Sequence, residues 1–323
     1  MKSKINTVIT IFTISLFLSC KTDDNNNGGV NPPTAAEFNA LRIDALDGIT
    51  QNFVVNADAG FQQFTSAKGV VLSINGTCLT QNGNDITGNV IIEYVEIFDK
   101  GTMLATNKPT MGLMPDGNKS MLISGGAFYV NATKNGQPVD IDCTMQLLVP
   151  ASLTTGTPDD EMQLFNGAID ENGNLVWEED NGEGQGGVFG EGVSYYVNFG
   201  NFGWTNVDKF YLDPRPKTTL LVTVPTGFDA DNSAVYLSYD GEGTNALAQL
   251  DVYNEDTQQF SEHYGQIPIG LACHVIFVSE QNGMFRYAVQ GVNIAEDHVI
   301  SITSVQTVLG SEAQLVAAIN AIQ

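Results

Sequence analysis

The sequence predicts an all-β protein: two β-sandwich domains with short N- and C-terminal helices. Three observations predict this. Runs rich in β-branched and aromatic residues recur at short intervals through the chain. Asn-Gly or Asp-Gly pairs punctuate them at 75–76, 82–83, 116–117, 135–136, 172–173, 240–241 and 282–283, and such pairs favour the positive φ angles of tight hairpins. No long helical period runs through the middle of the chain, so a sandwich or barrel is expected rather than an α/β enzyme. With 323 residues, 42% hydrophobic and 15% charged, the chain has enough apolar surface to bury one or two cores.

The first element, 1–19, is an address. Lys2 and Lys4 give a cationic start, residues 5–18 carry no charge, and small Ser19 directly precedes Cys20. That is the three-part pattern of an export signal, and its apolar part is too short to span a bilayer comfortably. Cys20 is expected to begin the mature chain and to carry lipid. Phe17-Leu18-Ser19-Cys20 resembles the bacterial lipoprotein signal box, with Phe17 where Leu is commonest. Each buried methylene is worth about 0.8 kcal/mol. The two or three acyl chains of bacterial lipoproteins would therefore anchor the protein permanently. Residues 20–34 then read as a flexible tether, because Lys21-Thr22-Asp23-Asp24 and the Asn/Gly run after it bury nothing. The acidic pair resembles the surface-export signal of Bacteroidota lipoproteins. It implies an outer-membrane location facing the cell exterior.

Residues 35–151 are expected to form the first sandwich. Thr34 and Glu37 have capping-box spacing, and Phe38, Leu41, Ala45 and Ile49 recur at helical intervals, so 35–48 is predicted helical. Strands are predicted at 68–75, 89–98, 121–133 and 139–149. Residues 152–190 read as an acidic, Gly-rich linker. It would hold a hairpin around Asn172-Gly173, with Leu175-Val176-Trp177 on the return strand, and a loop at 182–187. The second sandwich is expected at 191–323. Its strands would be 194–199, 218–224, 234–239, 247–252, 274–279, 285–289 and 298–305. A terminal helix, opened by the Ser311/Gln314 capping box, would place Leu315, Ile319 and Ile322 on one face.

The net charge of −24 excludes nucleic acid as a partner, since phosphate binding needs Lys and Arg to displace counterions. It also opposes attraction to anionic lipid headgroups, and it favours solubility and divalent cations. The cysteines are Cys20, Cys78, Cys143 and Cys273. With Cys20 acylated, Cys78 and Cys143 are able to pair if their strands meet, leaving Cys273 in an apolar run; sequence alone does not fix the pairing.

A family resemblance rests on particular stretches: 69–74, 86–97, 99–103, 107–110 and 124–130, with Phe202-Gly203-Trp204-Thr205-Asn206-Val207-Asp208-Lys209-Phe210 further on. They resemble a module of largely uncharacterised Bacteroidota surface proteins. That module is distantly similar to the β-sandwich of ankyrins, netrin receptors and tight-junction proteins. The resemblance implies a non-enzymatic role. Some eukaryotic relatives cleave themselves at His-Phe-Ser, and this chain has no such tripeptide.

Candidate chemistry is sparse. Gly182, Gly184 and Gly187 match GxGxxG by letter, but Glu178, Glu179, Asp180 and Glu183 surround them and would repel phosphate. His263, His274 and His298 show no metal spacing, and no GxSxG elbow is present. Asp159-Asp160-Glu161 and Glu178-Glu179-Asp180 read as solvated surface rather than a glycosidase pair. Asp229, Asp231 and Asp240, with Ser233, are candidates for a structural calcium ion, since they place oxygens at EF-loop positions without its glycine. Tyr195, Tyr196 and Trp204 are candidate stacking faces for a sugar or peptide. Otherwise Trp204 and Phe210 anchor a core while Asn206 and Asp208 fix a turn. The expected function is therefore non-catalytic: a lipid-anchored binding or scaffold protein, an accessory subunit of an envelope assembly or an adhesion module, with a protein partner in the envelope and no required cofactor. The alternative is glycan capture beside a nutrient importer; a hydrolase ranks third.

Overall fold

A computed structural model describes residues 31–170, 174–180, 186–243, 245–262 and 265–323. The expected signal peptide, Cys20, most of the expected tether, Asn172-Gly173, Gly182, Gly184 and His263 lie outside the described residues.

Both expected helices form. α1 (Ala35–Ile49) begins where the Thr34 hydroxyl accepts from the Glu37 N–H at 3.2 Å and the Glu37 carboxylate accepts from the Thr34 N–H at 2.8 Å. A second helix, α2 (Lys100–Ala105), was not expected, because six residues are too few to display a period. α3 (Glu312–Asn320) closes the chain behind its Ser311/Gln314 capping box. At Gly101 a Cβ atom would lie 2.6 Å from the Val316 carbonyl oxygen, so glycine is what lets α2 touch α3.

The rest is mostly strand, as expected. A central sheet orders Gln51–Asn56, Asn89–Ile97, Lys119–Lys134, Gly203–Phe210, Gln163–Ile169, Leu175–Glu179 and Met111–Leu113. An outer sheet orders Gly187–Glu191, Ser194–Phe199, Met145–Pro150, Val71–Asn75 and Phe61–Thr65. Between them lies an outer core built from Ile92, Tyr94, Phe128 and Val130 on one side and Leu72, Ile74, Leu147 and Val197 on the other. The opposite face of the central sheet carries Val95, Ile97, Leu122 and Trp177. These pack with α1, α2 and α3 and with Tyr236, Ile276 and Phe285 into a central core. That last trio belongs to a third sheet, Ala248–Gln249, Ser233–Tyr239, Ala272–Gln281, Met284–Asn293 and Val308–Gly310. A fourth orders Val252–Asn254, Gln259–Ser261, Leu220–Thr223 and His298–Ser301, the last two parallel.

Three expectations need correction. Residues 152–190 are not a linker. Gln163–Ile169 and Leu175–Glu179 form the expected hairpin, but both strands are built into the central sheet, because Phe165, Leu175 and buried Trp177 supply a core face that outweighs the acids around them. The two facing sheets therefore run from 51 to 210 rather than ending at 151, and the central core takes residues from both sides of the expected boundary. Asn206 and Asp208 do not fix a turn. They lie mid-strand in Gly203–Phe210, fully buried, opposite a bulge in Lys119–Lys134. Asn75-Gly76 is not a hairpin either: the Asn75 side chain caps a short 3-10 turn. Asn-Gly at 82–83, 135–136 and 282–283 does adopt positive φ at both residues, as hairpin turns require. Cys78 and Cys143 form a disulfide, and Cys273 is free and buried.

Candidate functional site

The structure does not gather the candidate aromatic residues. Tyr195 is buried in the outer core, where its hydroxyl accepts from the Asp159 N–H and shares a hydrogen bond with the Thr155 hydroxyl, each at 2.8 Å. Tyr196, next along the strand, points to the other face of the outer sheet. Trp204 packs against the central core between Tyr129 and Trp177, with ring centroids 5.2 and 6.2 Å away. These three positions serve three different surfaces, so the stacking platform does not form.

The three candidate calcium aspartates also separate. Ser233–Tyr239 is a fully buried strand. At about 3.3 Å per residue it carries Asp240 roughly 20 Å from the Asp229–Asp231 loop. Asp240 instead meets His274 Nδ1 at 2.8 Å. Asp229 organises its own loop, accepting from the N–H groups of Asp231 at 3.0 Å and Asn232 at 3.3 Å. Of the other acidic runs, Asp159 and Glu161 both pair with Lys209, each at 2.8 Å. Among the described residues no three His, Cys, Asp or Glu side chains converge as a metal site.

Two surfaces come together that strand prediction did not reveal. The first is the exposed face of the outer sheet. Register places Gln63, Ser73, Gln146 and Asn198 in one row across four strands. Gln63 Nε2 donates to Ser73 Oγ at 3.1 Å, and Gln146 Nε2 donates to Asn198 Oδ1 at 3.0 Å. A cavity of about 600 Å³ opens over this row, lined also by Phe61, Thr144 and Met145 and by no charged group. The next row is Val71, Leu148, Tyr196 and Phe189. Ser194–Phe199 alternates in the sequence, but Phe61–Thr65 does not and was not expected as a strand, and only strand order aligns the rows.

The second is a notch of about 360 Å³ where the chain passes from the third sheet to the fourth. Gln249 through Tyr253 line one wall and Ser233 and Ala234 another. Asp231 and Glu255 stand at its mouth, shared with an adjoining hollow of about 230 Å³. Arg42 lines the notch but is already held, its guanidinium 3.9 Å over the Phe38 ring and its Nη2 donating to the Tyr236 hydroxyl at 3.3 Å. Asp251 is likewise engaged by Lys119 at 2.5 Å. Near Arg42, burial and that second positive charge push the Lys108 ammonium down to about 8.

Both surfaces are suited to holding a ligand through amides, main chain and charge. Neither sets a nucleophile against a base. No known protein family matches the chain, and no curated protein emerges as a relative.

Proposed function

We propose that this is a lipid-anchored, non-catalytic binding protein of the outer membrane, facing the cell exterior and serving an envelope assembly or adhesion as scaffold or accessory subunit. Cys20 would carry the acyl chains, and the acidic Asn/Gly segment after it would be the tether. We read the layered body as two facing-sheet sandwiches sharing the central core. The observation that carries the reading is the Cys78–Cys143 disulfide: such bonds persist in oxidising compartments outside the cytosol, in keeping with the export signal that precedes it. Palmitate labelling tests the anchor. The wild-type protein should take up label and sediment with envelopes, and Cys20→Ser should do neither. Affinity capture from gently solubilised outer membranes should recover one stoichiometric protein.

One observation favours a second reading, glycan capture. The Gln63–Ser73–Gln146–Asn198 row offers neutral donors and acceptors beside Phe61, in a protein of charge −24. Neutral oligosaccharides need such planar amides and an apolar wall rather than charge. Calorimetric titration with neutral oligosaccharides, repeated on Gln146→Ala, separates the two readings.

A further inference from the structure

We propose that the edge strand Phe61–Thr65 of the outer sheet pairs with the same strand of a second copy, joining two molecules into a closed two-fold dimer through one continuous sheet. The inference goes beyond the anchoring and binding roles and depends on neither.

The edge is open. Phe61–Thr65 is the last strand of its sheet and, among the described residues, pairs only with Val71–Asn75. At one end of that hairpin the Ser66 N–H donates to the Val70 carbonyl at 2.8 Å. At the other the Gly76 N–H donates to the Gly60 carbonyl at 3.1 Å. Bonded pairs alternate along an antiparallel ladder. Residues 60, 62, 64 and 66 therefore turn their main chain toward Val71–Asn75, and Phe61, Gln63 and Thr65 turn theirs away. Among the described residues nothing takes the N–H and C=O groups of those three. The neighbouring edge, Gln51–Asn56 of the central sheet, shows what cover looks like. There the Asn56 N–H donates to Gln62 Oε1 at 3.0 Å, and the Asn56 carbonyl accepts from Gln62 Nε2 at 2.9 Å.

The edge is also unguarded. Folded proteins protect sheet edges with charge, proline or a bulge. Phe61-Gln62-Gln63-Phe64-Thr65 has no charged residue, proline or glycine, and its register with Val71–Asn75 is unbroken. The strand at the other end of the same sheet, Gly187–Glu191, carries two glycines and an acid. Phe61, on the open edge, is 76% exposed.

A second copy fits because the edge is complementary to itself. A two-fold axis through Gln63 sets Phe61 opposite Thr65 of the second copy and Gln63 opposite its own counterpart. Every outward-facing residue then meets an outward-facing one, giving three bonded pairs with two bonds in each. The Gln63 amide suits the axis. One N–H goes to Ser73 Oγ at 3.1 Å, which leaves its carbonyl and second N–H to meet the same groups across the axis. The neutral row would run on unbroken into the second copy. The net charge of −24 opposes association. No charged side chain lies in the strand or the row, however, and salt screens charges more than about 8 Å apart at physiological ionic strength. The dimer is therefore expected to tighten as salt is added.

The test uses the chain from residue 20 with Cys20→Ser, so that no lipid brings copies together. Sedimentation equilibrium should show a mass that rises with concentration and levels off at two copies, because the axis consumes the edge. Raising sodium chloride from about 20 to about 500 mM should strengthen association. Gln63→Lys sets two like charges against each other across the axis. It should weaken the dimer at least about tenfold while circular dichroism stays unchanged. Gln63→Cys should form an interchain disulfide under mild oxidation, and Phe189→Cys on the opposite edge should not. A chain that stays monomeric up to about 1 mM would overturn the proposal. So would a mass that keeps growing past two copies, a dimer indifferent to Gln63→Lys, or crosslinks from position 189 alone. None of these measurements probes the anchor, so palmitate labelling at Cys20 stands or falls separately.

Discussion

Glu96 and Asp208 are two carboxylates buried to nearly the same degree, 4% and 0% exposed, in opposite circumstances. Glu96 closes the rim of the outer core. Its oxygens accept from Ser66 Oγ at 2.7 Å, the Lys68 N–H at 3.0 Å, the Tyr94 hydroxyl at 3.1 Å and Gln51 Nε2 at 3.3 Å. Asp208 faces the central core beside the bulge. One of its oxygens accepts from Asn206 Nδ2 at 2.5 Å, and the other has no partner among the described residues. Burial raises its carboxyl well above the ordinary range, which favours the neutral form. A buried charge is tolerable when donors replace water and otherwise gives way to protonation. The outer core is hydrocarbon with its polarity satisfied at the edge. The central core, which joins the two parts of the chain, holds ionisable groups within it.

The largest expected effect tests the outer core. The disulfide closes a loop with a sequence separation of 65. Constraint of the unfolded chain over that length is worth about 4 kcal/mol. Cys78→Ser with Cys143→Ser should lower unfolding free energy by that order in urea, with the strand signal of the folded state retained. A loss below about 1 kcal/mol would show that packing and strand pairing alone hold Val71–Asn75 beside Met145–Pro150, the outer-sheet neighbours that the bond joins at one end. The next effect belongs to the central core. Buried Lys100 donates to Ser238 Oγ at 2.9 Å, the Gly243 carbonyl at 2.9 Å and the Ile322 carbonyl at 2.8 Å. Lys100→Met keeps the stem and strands three acceptors, a cost of about 3 kcal/mol. If thermal unfolding instead matched wild type, the comparison between the two cores would fail.

The contrast also explains what could be read from the sequence. The outer-core strands at 71–75 and 194–199 were legible because one face is largely apolar and the other largely polar, and 89–97 because it is a nearly continuous β-branched and aromatic run with core on both faces. The capping boxes at Thr34 and Ser311 were legible because they are local chemistry. Gly203–Phe210 was not. Its central-core face carries Asn206 and Asp208 between Trp204 and Phe210, which reads as a turn until the partners Ser124 and Phe165 are known. The acidity of 152–190 hid, in the same way, that its expected hairpin belongs to the central sheet. The candidate site suffered most: the neutral row needs four strands in register, and the notch depends on where a strand leaves its sheet. Neither property is local.

Asp208 offers a sharper test with a sign. Its folded pKa is raised, so the stability it contributes is fully present below about pH 4 and is lost as pH rises through the folded value. Asp208→Asn removes that titration. The variant should match wild type near pH 4 and exceed it by about 1 to 2 kcal/mol at higher pH. Urea midpoints across the pH range measure the gap. A constant gap would mean that shape rather than ionisation sets the difference.

The smallest effect comes from Lys108, and its pH window lies at the other end. Its Nζ sits 5.6 Å from the Trp204 ring centroid and donates to the Thr106 carbonyl at 3.2 Å. Burial first, then the charge of Arg42, lowers its pKa from 10.5 to about 8. The fold therefore prefers the neutral amine. The penalty is complete below about pH 8 and is relieved between there and 10.5, where the unfolded chain still binds the proton. Because the side chain keeps some contact with solvent, screening reduces the penalty to about 1 kcal/mol. Lys108→Met should be more stable than wild type by that amount at pH 7 and should lose the advantage by pH 10.5. Were the gain to persist unchanged at high pH, the methionine would be acting through packing on Trp204, and the central core would tolerate this cation as readily as the outer core tolerates Glu96.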